Sequence, residues 1–549
     1  MADLKPWQRD AVYQIYPRSF CDSNGDGIGD IPGIISKLDY LKNLGVGILW
    51  LSPVYCSPND DLGYDVSDYE AINPEYGTMA DMERLIAAAK QRGMRIVMDL
   101  VVNHTSDEHR WFKESQKSDS PYRDYYYWRQ GRNGNKNPPN NWTSMFPGPA
   151  WEYVPSVGLW YLHLYGKKQP DLNWHNPKVL EEVEGILRFW LDKGVYGFRC
   201  DVIDQIYKES LEDGKGHAAS GRGIEHYLMT PGNHKILQTL QADVFSHYDC
   251  VVIGETFAVD YQNGRQFLDG EMNMFFQFDH MGVDKSMNPL WKKHFKAKRF
   301  MDIIYGWQTN VSWNANYLEN HDQRRSISRF GDPHHYWKAS GKLLALLNLT
   351  LRGTPFIYEG EELGMLNYPY KEKPEDYKDV CCTFIYNIFK KYHLPKRFAM
   401  AFIDDYNRDH ARSPMQWDDT PNAGFSSTCL PCWLPVNPNY RQLNAKAEIA
   451  DPSSIYAFYQ KLLALRLEHP GLVTGSITPL QGNAYVFSYL RLEGEDHLQV
   501  ILNFSKKTRR LPKSLQGLQG HLLLSNYADT SLVDLKKLRP YEALIVQKK

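Results

Sequence analysis

The strongest constraint on this chain is its order of apolar runs. Short strand-like runs at residues 11–16, 47–51, 95–102, 197–202, 251–255, 274–278, 312–318 and 355–358 recur in series. Helix-like segments at 34–44, 79–92, 178–193, 235–245 and 336–349 fit between them, several closed by a glycine such as Gly45, Gly93 or Gly194. Continuous apolar strands alternating with amphipathic helices imply a parallel sheet covered on both faces. Eight in series predict a closed (β/α)8 barrel, an α/β fold. Two stretches break the order. Residues 105–176, rich in Asn, Pro, Tyr and Trp, read as a subdomain inserted after strand three, and 364–444 read as a second irregular stretch before a last helix at 455–467. The tail turns to strand patterns at 484–490, 498–502, 521–524 and 543–547. We therefore expect a barrel over 1–104 and 177–470, an insert over 105–176 and an all-β sandwich domain over 471–549.

Composition narrows the function. Sixty-three basic against 65 acidic side chains leave a net charge of −2 in 549 residues. That balance excludes the basic surplus of a nucleic-acid binder. No apolar run approaches the roughly 18 residues of a membrane span. The first twenty residues lack the apolar core of a secretory signal, and eight cysteines are too few for a disulfide scaffold. A cytoplasmic protein with no membrane partner is the expectation. Fifteen Trp and 36 Tyr suit sugar-binding surfaces, which need flat apolar faces with polar edges, and suit a plain core as well.

The ionisable residues gather at strand ends. Asp99 and His104 close strand three, Arg199 and Asp201 strand four, Glu255 strand five, and His321 with Asp322 follow strand seven. Barrel active sites sit at the C-terminal ends of the strands, so these side chains should converge. Three carboxylates beside two histidines and an arginine suit glycoside hydrolysis, which needs a proton donor for the leaving oxygen and an anion beneath an oxocarbenium-like centre. No His-Glu-x-x-His or paired Cys-x-x-Cys pattern supports a metal there.

Asp99-Leu-Val-Val-Asn-His104, Gly197-Phe-Arg-Cys-Asp-Val-Ile203, Ile253-Gly-Glu-Thr256 and Glu319-Asn-His-Asp322 resemble, in order, the four signature regions of the α-amylase family of glycoside hydrolases. Gln169-Pro-Asp-Leu-Asn173 resembles its fifth region in the form found in oligo-1,6-glucosidases. Ser57-Pro-Asn-Asp-Asp61, Gly63-Tyr-Asp65 and Ala411-Arg-Ser-Pro-Met-Gln-Trp417 agree with it.

The resemblance implies roles. Asp201 would be the nucleophile and Glu255 the acid, then the base, with net retention of configuration. Arg199 would keep Asp201 ionised. Asp322 would bind the 2- and 3-hydroxyls, and His104 and His321 the same sugar. Asp61, Tyr64 and Arg412 would close the pocket round a terminal glucose, making attack exo. Val202 would shape the next subsite and goes with α-1,6 substrates among similar enzymes. Tyr165 stands where Phe is more usual, Cys200 where Met, Leu or Phe is, and Arg324 where Pro is. A small oligosaccharide substrate, no organic cofactor and a monomer or weak dimer complete the expectation. The alternatives are a sucrose isomerase or other transglucosylase, and a trehalose-6-phosphate hydrolase, which would need a basic phosphate pocket. A catalytically dead transporter heavy chain would lose the carboxylates and carry a membrane helix.

Two further patterns are local. Asp22, Asn24, Asp26 and Asp30 with the Ile28 carbonyl space their oxygens for one hard cation, best suited to a structural Ca²⁺, although Gly33 stands where an EF-hand places glutamate. Cys429 and Cys432 read as free thiols or a local bridge.

Overall fold

The structure is a computed structural model that describes residues 4–146, 148–218, 220–286, 293–369, 377–428, 430–533 and 535–548. Eight strands form one sheet: β1 (Val12–Ile15), β2 (Ile48–Leu51), β3 (Arg95–Leu100), β4 (Gly197–Cys200), β5 (Val251–Glu255), β6 (Met274–Phe276), β7 (Ala315–Asn316) and β8 (Thr354–Tyr358). Their order is β6-β5-β4-β3-β2-β1-β8-β7, and every recorded register is parallel. Eight parallel strands in this order, with helices between them, make the expected (β/α)8 barrel. Nearly all strand residues are buried, which is why these strands read as unbroken apolar runs rather than as alternation.

The chain divides into two compact units, Met1–Leu49 with Ala88–Met94 and Phe278–Lys549, and Trp50–Ala87 with Arg95–Gln277. In the second unit, β3 and β5 flank β4 in register, with Asp99 opposite Arg199 and Ile253 opposite Arg199 on the other side. The helix Pro177–Asp192 begins at the Asn176 cap and buries Val179, Val183, Ile186, Leu187 and Trp190 at helical spacing. Within the stretch after β3, Trp128–Arg129, Trp151–Val154 and Leu159–Leu162 form a three-stranded antiparallel sheet over a core of Tyr127, Trp142, Trp151, Leu162, Leu164 and Tyr227.

In the first unit, the expected helix over 34–44 is two helices, Ile31–Ser36 and Leu38–Leu44, because Lys37 leaves helical geometry between them. Gly45 ends the second at φ 102°, a left-handed position that glycine adopts without strain. The stretch 364–444 is not without elements, as expected, but contains the helices Val380–Lys391 and Lys396–Tyr406. After the helix Ile455–Glu468, the strands Ser476–Leu480, Val486–Glu493, Asp496–Asn503, Ala543–Gln547 and His521–Ser525 pair antiparallel in that order. Leu511, Leu515 and Leu538 pack on Val486, Ile501, Leu544 and Val546 from this sheet. Among the described residues no helix is long and apolar enough to cross a membrane.

Candidate active site

In the second unit, a single guanidinium organises three carboxylates. Arg199, on β4, is 1% exposed. Its Nη1 donates to Asp99 Oδ1 at 2.6 Å and to Asp201 Oδ1 at 2.7 Å. Its Nη2 meets Glu255 Oε1 at 2.6 Å. Asp201 and Glu255 therefore face the same planar group, one on each terminal nitrogen. The parallel register contributes to this: Asp99 lies opposite Arg199 on one side, and on the other Glu255 ends β5 two residues beyond Ile253, which lies opposite Arg199. Asp99 is further held by Trp50 Nε1 (3.1 Å) and Tyr64 Oη (3.2 Å).

One cation among three buried carboxylates cannot neutralise them all. Burial pushes the Asp201 carboxyl well above the usual carboxylate range; Arg199 pulls it back, while Glu255 and Asp99 raise it further. Arg199 thus favours the ionised form of Asp201, as expected of its place beside it, but divides its charge among three anions.

Val202 follows Asp201 in a left-handed conformation, φ 37° and ψ 41°, strained for a β-branched residue. In that conformation its N–H donates to Glu255 Oε2 at 3.2 Å. The sequence singled out its side chain, but the structure gives its backbone a second contact. Tyr165 Oη donates to Gln205 Oε1 at 3.2 Å, and its ring lies 5.4 Å from that of His104. Burial pushes His104 down to about 4, so it is a neutral imidazole at ordinary pH; its Nε2 lies 3.0 Å from the Tyr64 carbonyl. Gln169 joins these groups, its Nε2 lying 3.2 Å from His104 Nε2 and donating to Asp61 Oδ2 at 3.3 Å. Asp65 accepts from the amides of Asp60 and Asp61 and so shapes the loop that carries Asp61.

In the first unit the balance is reversed. Asp322 follows β7 and accepts from Arg412 Nη2 at 2.7 Å, with Arg408 Nη1 at 3.4 Å and His321 Nε2 3.2 Å from its other oxygen. Burial opposes ionisation, yet His321, Arg408 and Arg412 together hold this carboxyl well below the usual range. His321 Nδ1 lies 2.8 Å from Gln14 Nε2, and Tyr16 stacks on its ring at 5.9 Å. Arg412 also donates from Nε to the His321 carbonyl. Arg408, anchored by Asp379, escaped the sequence reasoning; the only signal was a second basic residue four positions before Arg412.

The Asp22–Asp30 loop is built on its own side chains. Asp22 accepts from the amides of Asn24, Gly25 and Gly27, Asn24 from Asp26, and Asp26 from Ile28. Asp30 accepts from Ser23 and from Gly33, capping the helix Ile31–Ser36. The donors are all oxygens, as a hard cation requires. Among the described residues no group of three or more His, Cys, Asp or Glu side chains is placed to hold a metal ion. Cys429 lies outside the described residues.

Residues 14–475 match the family model for the alpha amylase catalytic domain. The chain is 48% identical to the oligo-1,6-glucosidase of Parageobacillus thermoglucosidasius over 98% of both proteins. Among solved structures, the trehalulose synthase of Pseudomonas mesoacidophila MX-45 superposes with a TM-score of 0.92 at 40% identity, covering 99% of each chain. The trehalose-6-phosphate hydrolase of Bacillus licheniformis does so with a TM-score of 0.91 at 39% identity, covering 99% of this chain and 99% of that one. With four signature regions in order, a family model spanning most of the chain and strand ends that bring Asp201 and Glu255 onto one guanidinium, this chain belongs to the α-amylase family of glycoside hydrolases.

Proposed function

We propose that the protein is an exo-acting, retaining α-glucosidase that releases glucose from the non-reducing ends of short α-glucosides, with α-1,6 linkages such as those of isomaltose preferred. The observation that carries the chemistry is the Arg199 bridge between Asp201 and Glu255. Similarity to an oligo-1,6-glucosidase at 48% identity, together with Val202 after the nucleophile, supports the linkage preference.

In this reading Glu255 is the proton donor and Asp201 the attacking carboxylate. Asp201 attacks the anomeric carbon as Glu255 protonates the departing oxygen. The covalent glucosyl intermediate then yields to water, whose proton returns to Glu255, and two inversions give net retention. Asp322, ionised, grips the 2- and 3-hydroxyls, with His104, a neutral imidazole, and His321 on the same sugar and Tyr64 and Tyr165 beside it. Asp61 and Arg412 read the terminal 4-hydroxyl. A site built to pair such a hydroxyl rejects chains lacking it at that place, because the buried charges would stay unpaired. We also propose that Asp22, Asn24, Asp26, Asp30 and the Ile28 carbonyl hold a Ca²⁺ that braces their loop, an arrangement supported by the all-oxygen donor set. The protein acts in the cytoplasm as a monomer or weak dimer and takes no organic cofactor.

Product analysis on isomaltose, maltose, sucrose and trehalose 6-phosphate tests the assignment. Glucose from isomaltose, appearing first as the α-anomer, is expected. Rearranged sucrose with untouched isomaltose would make the enzyme an isomerase, and turnover confined to trehalose 6-phosphate would make it a phosphodisaccharide hydrolase.

A further inference from the structure

A cavity of about 530 Å³ opens in the first unit between the start of the helix Ala297–Asn310 and the C-terminal sheet. None of the candidate catalytic residues lines it. Five cations do: Lys296, Lys298, Lys506, Lys507 and Arg509. No carboxylate is among its lining residues, in a chain whose charge is otherwise nearly balanced. Lys298 and Lys506 have partners outside the cavity, Asp302 at 2.7 Å and Asp332 at 3.0 Å. For Lys296, Lys507 and Arg509 no ion pair is recorded among the described residues.

Two features make this more than a basic patch. The helix that opens onto the cavity has no acidic residue in its first turn and no side chain capping it, and basic residues stand there instead. Its N-terminal dipole and those cations repel one another, a cost that a bound anion would remove. The walls are aromatic: Phe295, Phe330, Phe504, Tyr485 and Tyr541. Arg509 lies 3.8 Å over the Tyr485 ring, and its Nε donates to Ser505 Oγ at 2.9 Å. That guanidinium is fixed before any ligand arrives, and its terminal nitrogens remain available for a planar, charge-assisted contact.

We propose that this cavity binds a small phosphorylated metabolite, the phosphate on Lys507, Arg509 and the helix N-terminus, the body of the molecule against Tyr485 and the phenylalanines. The volume suits one such molecule. The site is independent of the catalytic reading, and its failure would leave that reading untouched.

Titration calorimetry on the full chain at constant ionic strength tests it, with inorganic phosphate, ribose 5-phosphate and adenosine monophosphate as probes and ribose and adenosine as uncharged controls. Saturable binding of a phosphorylated probe, one per chain, is expected, with none for the controls. Equal affinity for phosphate and its esters would mean that the anion alone is read; tighter esters would mean that the aromatic walls take part. The double variant Lys507→Glu/Arg509→Gln, checked for an unchanged melting temperature and unchanged kcat, should weaken binding at least tenfold. No saturation up to about 10 mM, or equal binding by the folded double variant, would overturn the proposal.

Discussion

Two clusters of this molecule use the same residue types in opposite proportions. Around Arg199 one guanidinium serves three carboxylates, Asp99, Asp201 and Glu255. Around Asp322 one carboxylate receives two guanidiniums and an imidazole. Desolvation raises both carboxyls, so the ratio of charges decides the outcome. The Asp201 carboxyl is driven up, and the Asp322 carboxyl is driven down. A glycosidase needs both: a place where a proton can be held and passed on, and a place where negative charge never leaves.

The sharpest way to break this comparison is to remove the nucleophile. Asp201→Asn should lower kcat by about 10⁴-fold or more, roughly 5.5 kcal/mol of transition-state stabilisation, with the circular dichroism spectrum unchanged. Substantial residual turnover in a sample free of wild-type enzyme would take Asp201 out of its role. Glu255→Gln should cost nearly as much on isomaltose but much less on an aryl glucoside whose leaving group needs no proton, and equal losses on both would deny Glu255 the donor role.

At the other cluster, Asp322→Asn leaves Arg412 and Arg408 facing a neutral amide. Leaving the buried Arg412 guanidinium without its carboxylate should destabilise the fold by about 2 kcal/mol at neutral pH. Because the folded carboxyl lies below its unfolded value of about 3.9, its contribution is present above that pH and lost as pH falls through the folded value. Denaturant melts of wild type and Asp322→Asn should therefore converge on acidification, and a gap independent of pH would mean that the effect is not electrostatic.

Much of this arrangement was legible in the sequence because parallel barrel strands are buried on both faces. Residues 251–255 coincide with β5, and Asp99, Arg199 and Glu255 sit at strand ends as expected. Legibility failed where burial is thin. The helix Lys396–Tyr406 buries only Ala399 and Ile403, a stripe too narrow to stand out among charged neighbours. The strand Ser476–Leu480 buries only Ile477 and was not anticipated. β7 has only two residues, Ala315–Asn316, inside an expected run of seven, because polar side chains interrupt it. The charge ratios were illegible for another reason: that Arg199 is shared and that Arg408 joins Arg412 depends on contacts between residues far apart in sequence.

The comparison also predicts an effect of opposite sign. Since the folded Asp201 carboxyl lies above its unfolded value, its share of stability is complete below about pH 3.9 and declines as pH rises through the folded value. Asp201→Asn, inactive as it is, should then be more stable than wild type by about 1–2 kcal/mol at pH 7 to 8 and no more stable near pH 4. A variant that is less stable at every pH would contradict the unrelieved negative charge inferred around Arg199.

The smallest effect concerns the residue that joins backbone to specificity. Val202 keeps a left-handed conformation that its branched side chain disfavours, and in it the N–H reaches Glu255. Val202→Thr preserves the branching, and with it the strain and the N–H contact, while adding a hydroxyl to the surface proposed to meet the leaving sugar. Its kcat on an aryl glucoside should stay within about twofold, whereas the ratio of kcat/KM for isomaltose to that for maltose should fall several-fold, the scale of one altered apolar contact. Val202→Gly removes the strain and the side chain together. If the N–H contact matters through its fixed geometry, this variant should lose activity on both disaccharides alike, because a glycine at that position no longer holds a single conformation. Equal behaviour of the Thr and Gly variants would show that the side chain acts alone and that the backbone contact to Glu255 is incidental.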